Sequence, residues 1–320
     1  MKCCGKNSVN VESPKKPTQM EMLHETLRNI NCDDLPTTTL ILNDGSTYTG
    51  TILDEKIHGR GVLKNPNGEI YEGEFVYGRK HGLGKWSNKE GNSYEGLWKE
   101  DRKHGYGVYI TEDGYTFEGN FNMNKRDGIG TTITHDGIKY ICNFKDDVEV
   151  GEVEFFFPNG DHAFGYIKDG YLHENGRYEF KNGDIYVGYF EKGLFHGKGY
   201  YKWHEDSSYV LYEGNYVEGK KHGTGQLTRV DGRILCGEFR DNHLEGEFLE
   251  ISPQGNKTRV LYEKSKFVKI IEKIQDKVNI KEFRMDAAVI TSIFSDPTFY
   301  KKLYEVEKKK KSKFHITLRK

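Results

Sequence analysis

Long apolar stretches are missing from this 320-residue sequence. No run approaches the ~18–20 residues of a membrane span, and none of signal-peptide length follows Met1. The five cysteines, Cys3, Cys4, Cys32, Cys142 and Cys236, contain no C-x-x-C pair, which argues against a zinc site or a disulfide framework. Hydrophobic residues make up only 35%, against the ~45–50% usual for a globular domain. A large two-layer core would need more Leu, Ile and Val. With 48 basic and 49 acidic side chains the net charge is −1, so no global field draws the chain to nucleic acid or membrane, and only local patches remain to do so. The expectation is a soluble intracellular protein without a nucleic-acid partner.

Aromatics and glycine are plentiful instead: 21 Tyr, 18 Phe and 37 Gly. They recur in register. Steps of 23 residues lead from Tyr48 to Tyr71, Tyr94, Phe117, Tyr140, Ala163 and Tyr186, a step of 26 reaches Tyr212, and another 23 reaches Leu235. Two positions on stand Gly50, Gly73, Gly96, Gly119, Cys142, Gly165, Gly188, Gly214 and Gly237. Four positions on stand Ile52, Phe75, Trp98, Phe121, Phe144, Ile167, Phe190, Tyr216 and Phe239. A G-x-G pair follows in most units, as at Gly82/Gly84 and Gly197/Gly199. Nine units in register are the signature of a repeat array.

Each unit reads as one β-hairpin. Alternation puts Tyr71, Gly73 and Phe75 on one face and Glu72 and Glu74 on the other. A second aromatic, such as Trp86, Tyr109 or Tyr178, lies fifteen residues after the start. Asp-Gly or Asn-Gly dipeptides join the units, tolerating the positive φ of tight turns. Strand glycines are costly unless something needs the space, and each is expected to leave room for a ring lying across the backbone. The fold class is an all-β repeat array, an elongated single-layer antiparallel meander of roughly 18–20 strands spanning roughly 90 Å, with short helical caps. The expected organisation is 1–37, a flexible N-terminus with a capping helix over Thr18 to Ile30; 38–262, the sheet; and 263–320, C-terminal helices and a lysine-rich tail. Helical stripes are read at Val268 to Val278 (Ile271, Ile274, Val278), Lys281 to Phe294 (Phe283, Ala287, Ile290, Phe294), and after Ser295-Asp296-Pro297 (Phe299, Leu303, Val306).

The pattern Y-x-G-x-[F/W] followed by G-x-G resembles the MORN repeat (membrane occupation and recognition nexus), over residues 48 to about 257. Two units depart from it, the fifth at Cys142 and the sixth at Ala163 and Glu174. The seventh carries three extra residues around Trp203 to Tyr209, and irregular geometry is expected at all three places. The resemblance implies a non-catalytic scaffold of the ciliary or cytoskeletal kind, an adaptor for partner helices or peptides. The kinase and methyltransferase domains joined to other members are not expected in the ~58 residues after the array, which are too few for either.

No catalytic residue and no cofactor is nominated. The row His58, His81, His104, His196 and His222 precedes G-x-G, but equivalent residues of successive hairpins stand ~9–10 Å apart, too far for bonds of ~2.0–2.1 Å to one zinc. The segment Gly214 to Lys221 mimics a phosphate-binding loop yet lacks the Ser/Thr and the following helix. The candidate partner-binding groove is the aromatic row: Tyr71, Phe75, Trp86, Tyr94, Trp98, Tyr109, Phe121, Tyr186, Phe190 and Tyr212. A sheet without a second layer is expected to leave these rings accessible to a partner helix, or to the chain's own C-terminal helices. Cys3 and Cys4 are candidate acylation sites, and Lys308, Lys309, Lys310, Lys311 and Lys313 candidate contacts to an anionic surface. They carry the alternative reading, a peripheral tether on anionic phospholipid at the cytoplasmic face of a membrane. The leading expectation is a protein partner at the cytoskeleton or cilium, with homodimerisation left open.

Overall fold

The computed structural model describes residues 37–280 and 287–301. Among these are 21 strands, from β1 (Thr37–Ile41) to β21 (Lys266–Ile274), and the helix α1 (Ala287–Ser295). A further helical turn begins at Phe299. The expected capping helix over Thr18 to Ile30, together with Cys3, Cys4, Phe283, Leu303, Val306 and the lysines 308–313, lies outside the described residues.

The chain divides into two units, Met1–Tyr109 and Ile110–Lys320. In the first, each strand pairs antiparallel with the next in sequence: β1 with β2 (Thr47–Leu53), then β3 (Lys56–Lys64), β4 (Ile70–Val76), β5 (Arg79–Ser87) and β6 (Ser93–Lys99). The strand Arg102–Ile110, β7, follows. In the second, the same meander runs from β8 (Thr116–Asn122) to β21. Each unit is one antiparallel layer.

Two kinds of connection alternate. Within a hairpin, two successive residues take positive φ, as Glu100 (48°) and Asp101 (65°) or Met123 (51°) and Asn124 (79°). This is the twist-matched two-residue turn of a hairpin. Between hairpins stand the Asp-Gly and Asn-Gly dipeptides, and there only the glycine is left-handed, for example Gly68 at 91°. Its amide donates to Asn65 O (3.0 Å), Asn65 N donates to Glu69 O (2.8 Å), and Asn67 Oδ1 accepts from Glu69 N (3.0 Å). The dipeptides therefore mark wider loops, and the tightest turns fall at other residues.

Inside each regular hairpin the register jumps where the first glycine of G-x-G bulges out at positive φ. Next to the jump, Gly73 faces Gly84 while Tyr71 faces Trp86. The Tyr71 ring folds down over this glycine pair. A Cβ on Gly84 would stand 2.3 Å from the Tyr71 hydroxyl oxygen and 2.5 Å from Cε2. The hydroxyl donates to Glu74 O (3.0 Å), and Tyr94 and Leu97 O (2.9 Å), Tyr186 and Tyr189 O (2.9 Å), and Tyr212 and Asn215 O (3.2 Å) repeat the arrangement.

The irregular units depart for steric reasons. Cys142 faces Val153 where two glycines would stand, so Tyr140 cannot lie over the pair and its hydroxyl donates to Glu149 Oε1 instead (3.1 Å). Ala163 brings no ring, and the space beside Gly176 is filled by Phe190. Glu174 takes the bulge position at φ 61°, where other units have glycine. The extra residues of the seventh unit form a longer loop, closed by Trp203 N donating to Val210 O (3.2 Å).

One expected helix is a strand. Lys266 to Ile274 forms β21 against β20 (Lys257–Glu263), after a turn with both Lys264 and Ser265 at positive φ. The helical spacing of Ile271, Ile274 and Val278 is outweighed by the β-branched Val268, Ile270 and Ile271 and by an open sheet edge to pair with. The sheet thus continues past residue 262 to Ile274, and among the described residues after it α1 is helical.

Substituting Gly84 by Ala is expected to cost about 1–3 kcal/mol through overpacking under Tyr71. Gly165→Ala, in the unit where Ala163 takes the place of the ring over the glycine pair, is expected to cost less, because the nearest atom to a new Cβ is 3.1 Å away. Urea unfolding of the two variants followed by circular dichroism checks the order; equal losses would contradict the role given to the ring.

Candidate partner-binding surface

The rings proposed from the sequence as an open groove are mostly closed upon themselves. Tyr71, Phe75, Tyr94, Trp98, Phe121, Tyr186, Phe190 and Tyr212 are all buried, and only Trp86 and Tyr109 are half-exposed. The expectation of an accessible row fails at those eight residues because each tyrosine lies flat on its own glycines and meets two neighbours edge-on. In the first unit Tyr71 packs against Phe75 (5.0 Å, 79°) and Trp98 (5.2 Å, 87°), and Trp98 against Tyr94 (5.1 Å, 85°). In the second unit Tyr186 meets Phe190 and Tyr216, and Tyr212 meets Tyr216 and Phe239, in the same T-shaped geometry. Such pairs contribute about 0.5–1.5 kcal/mol each beyond burial.

Cations cover parts of this row. Lys103 lies 3.8 Å from the Tyr109 ring centre, 5.2 Å from Tyr94 and 5.7 Å from Trp86. Lys221 stands over Trp203 (4.4 Å), Tyr212 (5.2 Å) and Tyr201 (5.7 Å), and burial pulls its ammonium down to about 8. Arg126 covers Phe144 at 4.5 Å. The charged heads of these side chains close the row further, through cation–π contact with the rings.

The opposite face of the sheet carries the residues between the rings. In most hairpins these are polar: Glu72, Glu95 and Glu118, then Glu213 and Glu238. Over Gly214, Gly225 and Gly237 the second unit has an open trough of about 650 Å³, with Lys198, Glu213, Asn215, Gln226, Glu238 and Glu247 on its walls. Between β12 (His162–Lys168) and β16 (Tyr209–Val217), however, the same positions are apolar: Phe164, Tyr166, Ile185, Val187, Tyr200 and Leu211. There α1 is seated. Ile293 (2% exposed) and Phe294 (6%), with Tyr300, pack on Val187 and Leu211, and Ile290 and Phe299 flank them. Arg177, on β13 (Tyr171–Glu179), donates to Phe294 O (2.8 Å) and Ile293 O (3.3 Å) and pairs through Nε with Glu179 (2.6 Å). Lys301 pairs with Glu152 at the margin (2.7 Å).

The C-terminal helix therefore lies on the face opposite the ring row. Self-masking of the aromatic groove, one expectation from the sequence, does not occur at α1. The seat has a signal in the sequence that the repeat pattern alone does not bring out: Phe164 and Val187 stand where the units starting at Tyr71, Tyr94, Phe117 and Tyr212 carry Glu72, Glu95, Glu118 and Glu213.

The histidine row lies apart from any metal geometry. His58 stacks edge-on against Tyr77 (5.1 Å), His196 pairs with Glu191 (3.5 Å) and His222 stands 4.0 Å from Asp241. Among the described residues no group of three His, Cys, Asp or Glu converges on a metal position, and no helix is long and apolar enough to cross a membrane.

The MORN repeat family matches at residues 48–70, 71–93, 94–114, 117–139, 164–185, 186–207 and 212–232, and the chain belongs to that family of non-catalytic repeats. The interval between the fourth and fifth matches holds Cys142, where the tyrosine leaves its glycine bed. No curated protein matches the chain. Among solved structures, the Drosophila melanogaster SAS-4 (dCPAP) TCP domain in complex with a proline-rich motif of Ana2 (dSTIL) is similar at 14% identity, with 71% of this chain and 90% of that one covered and a TM-score of 0.23. A streptogramin B lyase structure is similar at 11% identity, with 76% and 84% covered and a TM-score of 0.14. Neither TM-score is high enough to carry an argument.

Burial raises the phenol pKa values of Tyr71, Tyr94, Tyr186 and Tyr212 above the usual 10.0, with the Glu74 and Asp101 carboxylates adding to the effect at Tyr71. A raised folded-state value stabilises the fold fully below the unfolded value, and the contribution is lost as pH rises through the folded one. Stability should accordingly fall as pH climbs above 10.0. Tyrosinate absorbance from these rings should appear only together with loss of the sheet signal in circular dichroism; ionisation of all the tyrosines in an intact sheet would contradict the burial.

Proposed function

We propose that the chain is a non-catalytic scaffold that holds partner proteins, helices above all, on the face of its sheet opposite the ring row, within a ciliary or other cytoskeletal assembly. The observation that carries this reading is the seat of α1: where the open face turns apolar it takes a helix by Ile293 and Phe294. The ring row is engaged in holding the hairpins together, which leaves the opposite face and the half-exposed Trp86 and Tyr109 as the surface available for binding. MORN repeats mediate protein or membrane contacts, in keeping with such a role.

The alternative, a tether on anionic phospholipid, draws on Cys3, Cys4 and the lysines 308–313, all outside the described residues. Localising the tagged full chain in its native cell separates the two. Coincidence with a microtubule-based structure is expected; a diffuse or purely membrane-bound pattern overturns the cytoskeletal reading. Flotation with phosphatidylserine vesicles, lost on removal of the lysine tail, would favour the tether.

A further inference from the structure

The helix seat has a polar determinant as well as an apolar floor. A helix leaves its last four carbonyls without partners inside the helix. The carbonyls of Ile293 and Phe294 belong to that set, since α1 ends at Ser295, and both point at one guanidinium. The Arg177 side chain is only 6% exposed and is held on its other side by Glu179. Its fork and charge suit a helix C-terminus, where the dipole places negative potential. The floor is apolar under the preceding turn, where Val187 and Leu211 meet Ile293 and Phe294. No residue of this seat belongs to the ring row that builds the hairpins.

We infer that this patch is a receptor for the C-terminal end of an amphipathic helix, with Arg177 as its specificity-determining residue, and that α1 occupies it in competition with a partner helix of the same design. This rests on the scaffold reading and names its ligand: a helix with aliphatic or aromatic residues at i, i+3 and i+4, as Ile290, Ile293 and Phe294 are placed, whose last carbonyls are unfilled. A partner lacking the apolar triplet would leave Val187 and Leu211 wet. One whose final carbonyls are already capped would leave the guanidinium without acceptors on that side.

The test uses the full chain. The double variant Ile293→Asp/Phe294→Asp releases α1, and the probe is a fluorescein-labelled peptide of residues 287–301 followed by anisotropy. The released variant is expected to bind the peptide, and the unaltered chain to bind it at least tenfold more weakly, because its own α1 is in place. Adding Arg177→Met to the released variant is expected to weaken binding at least tenfold, the range for hydrogen bonds to a charged group. Absence of binding to a released variant with an unchanged circular dichroism spectrum overturns the inference, as does equal affinity with and without Arg177. Should the double variant fail to fold, Arg177→Met alone decides: amide exchange in 287–295 should quicken at least tenfold while the strands of the first unit keep their protection, and unchanged exchange in the helix overturns the inference. The scaffold reading fails by a different result, the absence of cytoskeletal localisation, so the two can be told apart.

Discussion

The structure depends on a tyrosine ring lying flat over two facing glycines of its own hairpin. With Gly73 and Gly84 bare, the Tyr71 ring reaches across the strand pair and its hydroxyl fills a backbone carbonyl next to the register jump. One side chain thereby supplies three things a lone hairpin lacks: apolar cover, a hydrogen bond where the ladder is interrupted, and an edge for the next hairpin's ring. The glycines are costly in a strand when taken alone, and the ring offsets that cost only because both are present. Sequence, turn and packing are locked together at this point.

The repeat, its register and the fold class were legible because this device recurs and because glycine and tyrosine are rare enough in combination to be counted. So was the reason for the glycines. What the rings do once in place was less legible. Read from the sequence, a single layer leaves its aromatics without cover, and Tyr94 and Trp98 fall in a groove. Their burial comes from side-chain direction: a ring lying along the sheet, with others edge-on beside it, is its own second layer. Periodicity fixes the face a residue occupies but not whether its ring stands up or lies down. The same limit applies at Val268 to Val278, where two spacings are compatible with one short apolar run and pairing with the sheet edge decides between them.

The polarity of the two faces follows from the same constraint. Since the ring face is filled by the repeat's own residues, the opposite face is where hairpins are free to differ. Glu72, Glu95 and Glu118 keep it solvated. The apolar exception lies around the sixth and seventh units, where the ring row is also irregular: Ala163 replaces a tyrosine and Glu174 a glycine. There Phe190 moves in beside Gly176 on the ring face, while Val187, Tyr166 and Tyr200 gather on the other. Departures from the repeat on one face and gain of a binding patch on the other occur in the same hairpins.

Exposed apolar area of that kind is seldom left open, and α1 covers it. Burial of Ile293 and Phe294 alone would hold a helix in several orientations, because apolar contact is not directional. Hydrogen bonds from a nearly buried guanidinium to two adjacent carbonyls remove that freedom, since they can form only at one end of one helix. Affinity and orientation thus reside in different side chains, the floor in Val187 and Leu211 and the polarity in Arg177. A scaffold built from repeats has few other ways to tell one helix from another: its regular hairpins are near copies, and discrimination has to come from the positions where the copies differ.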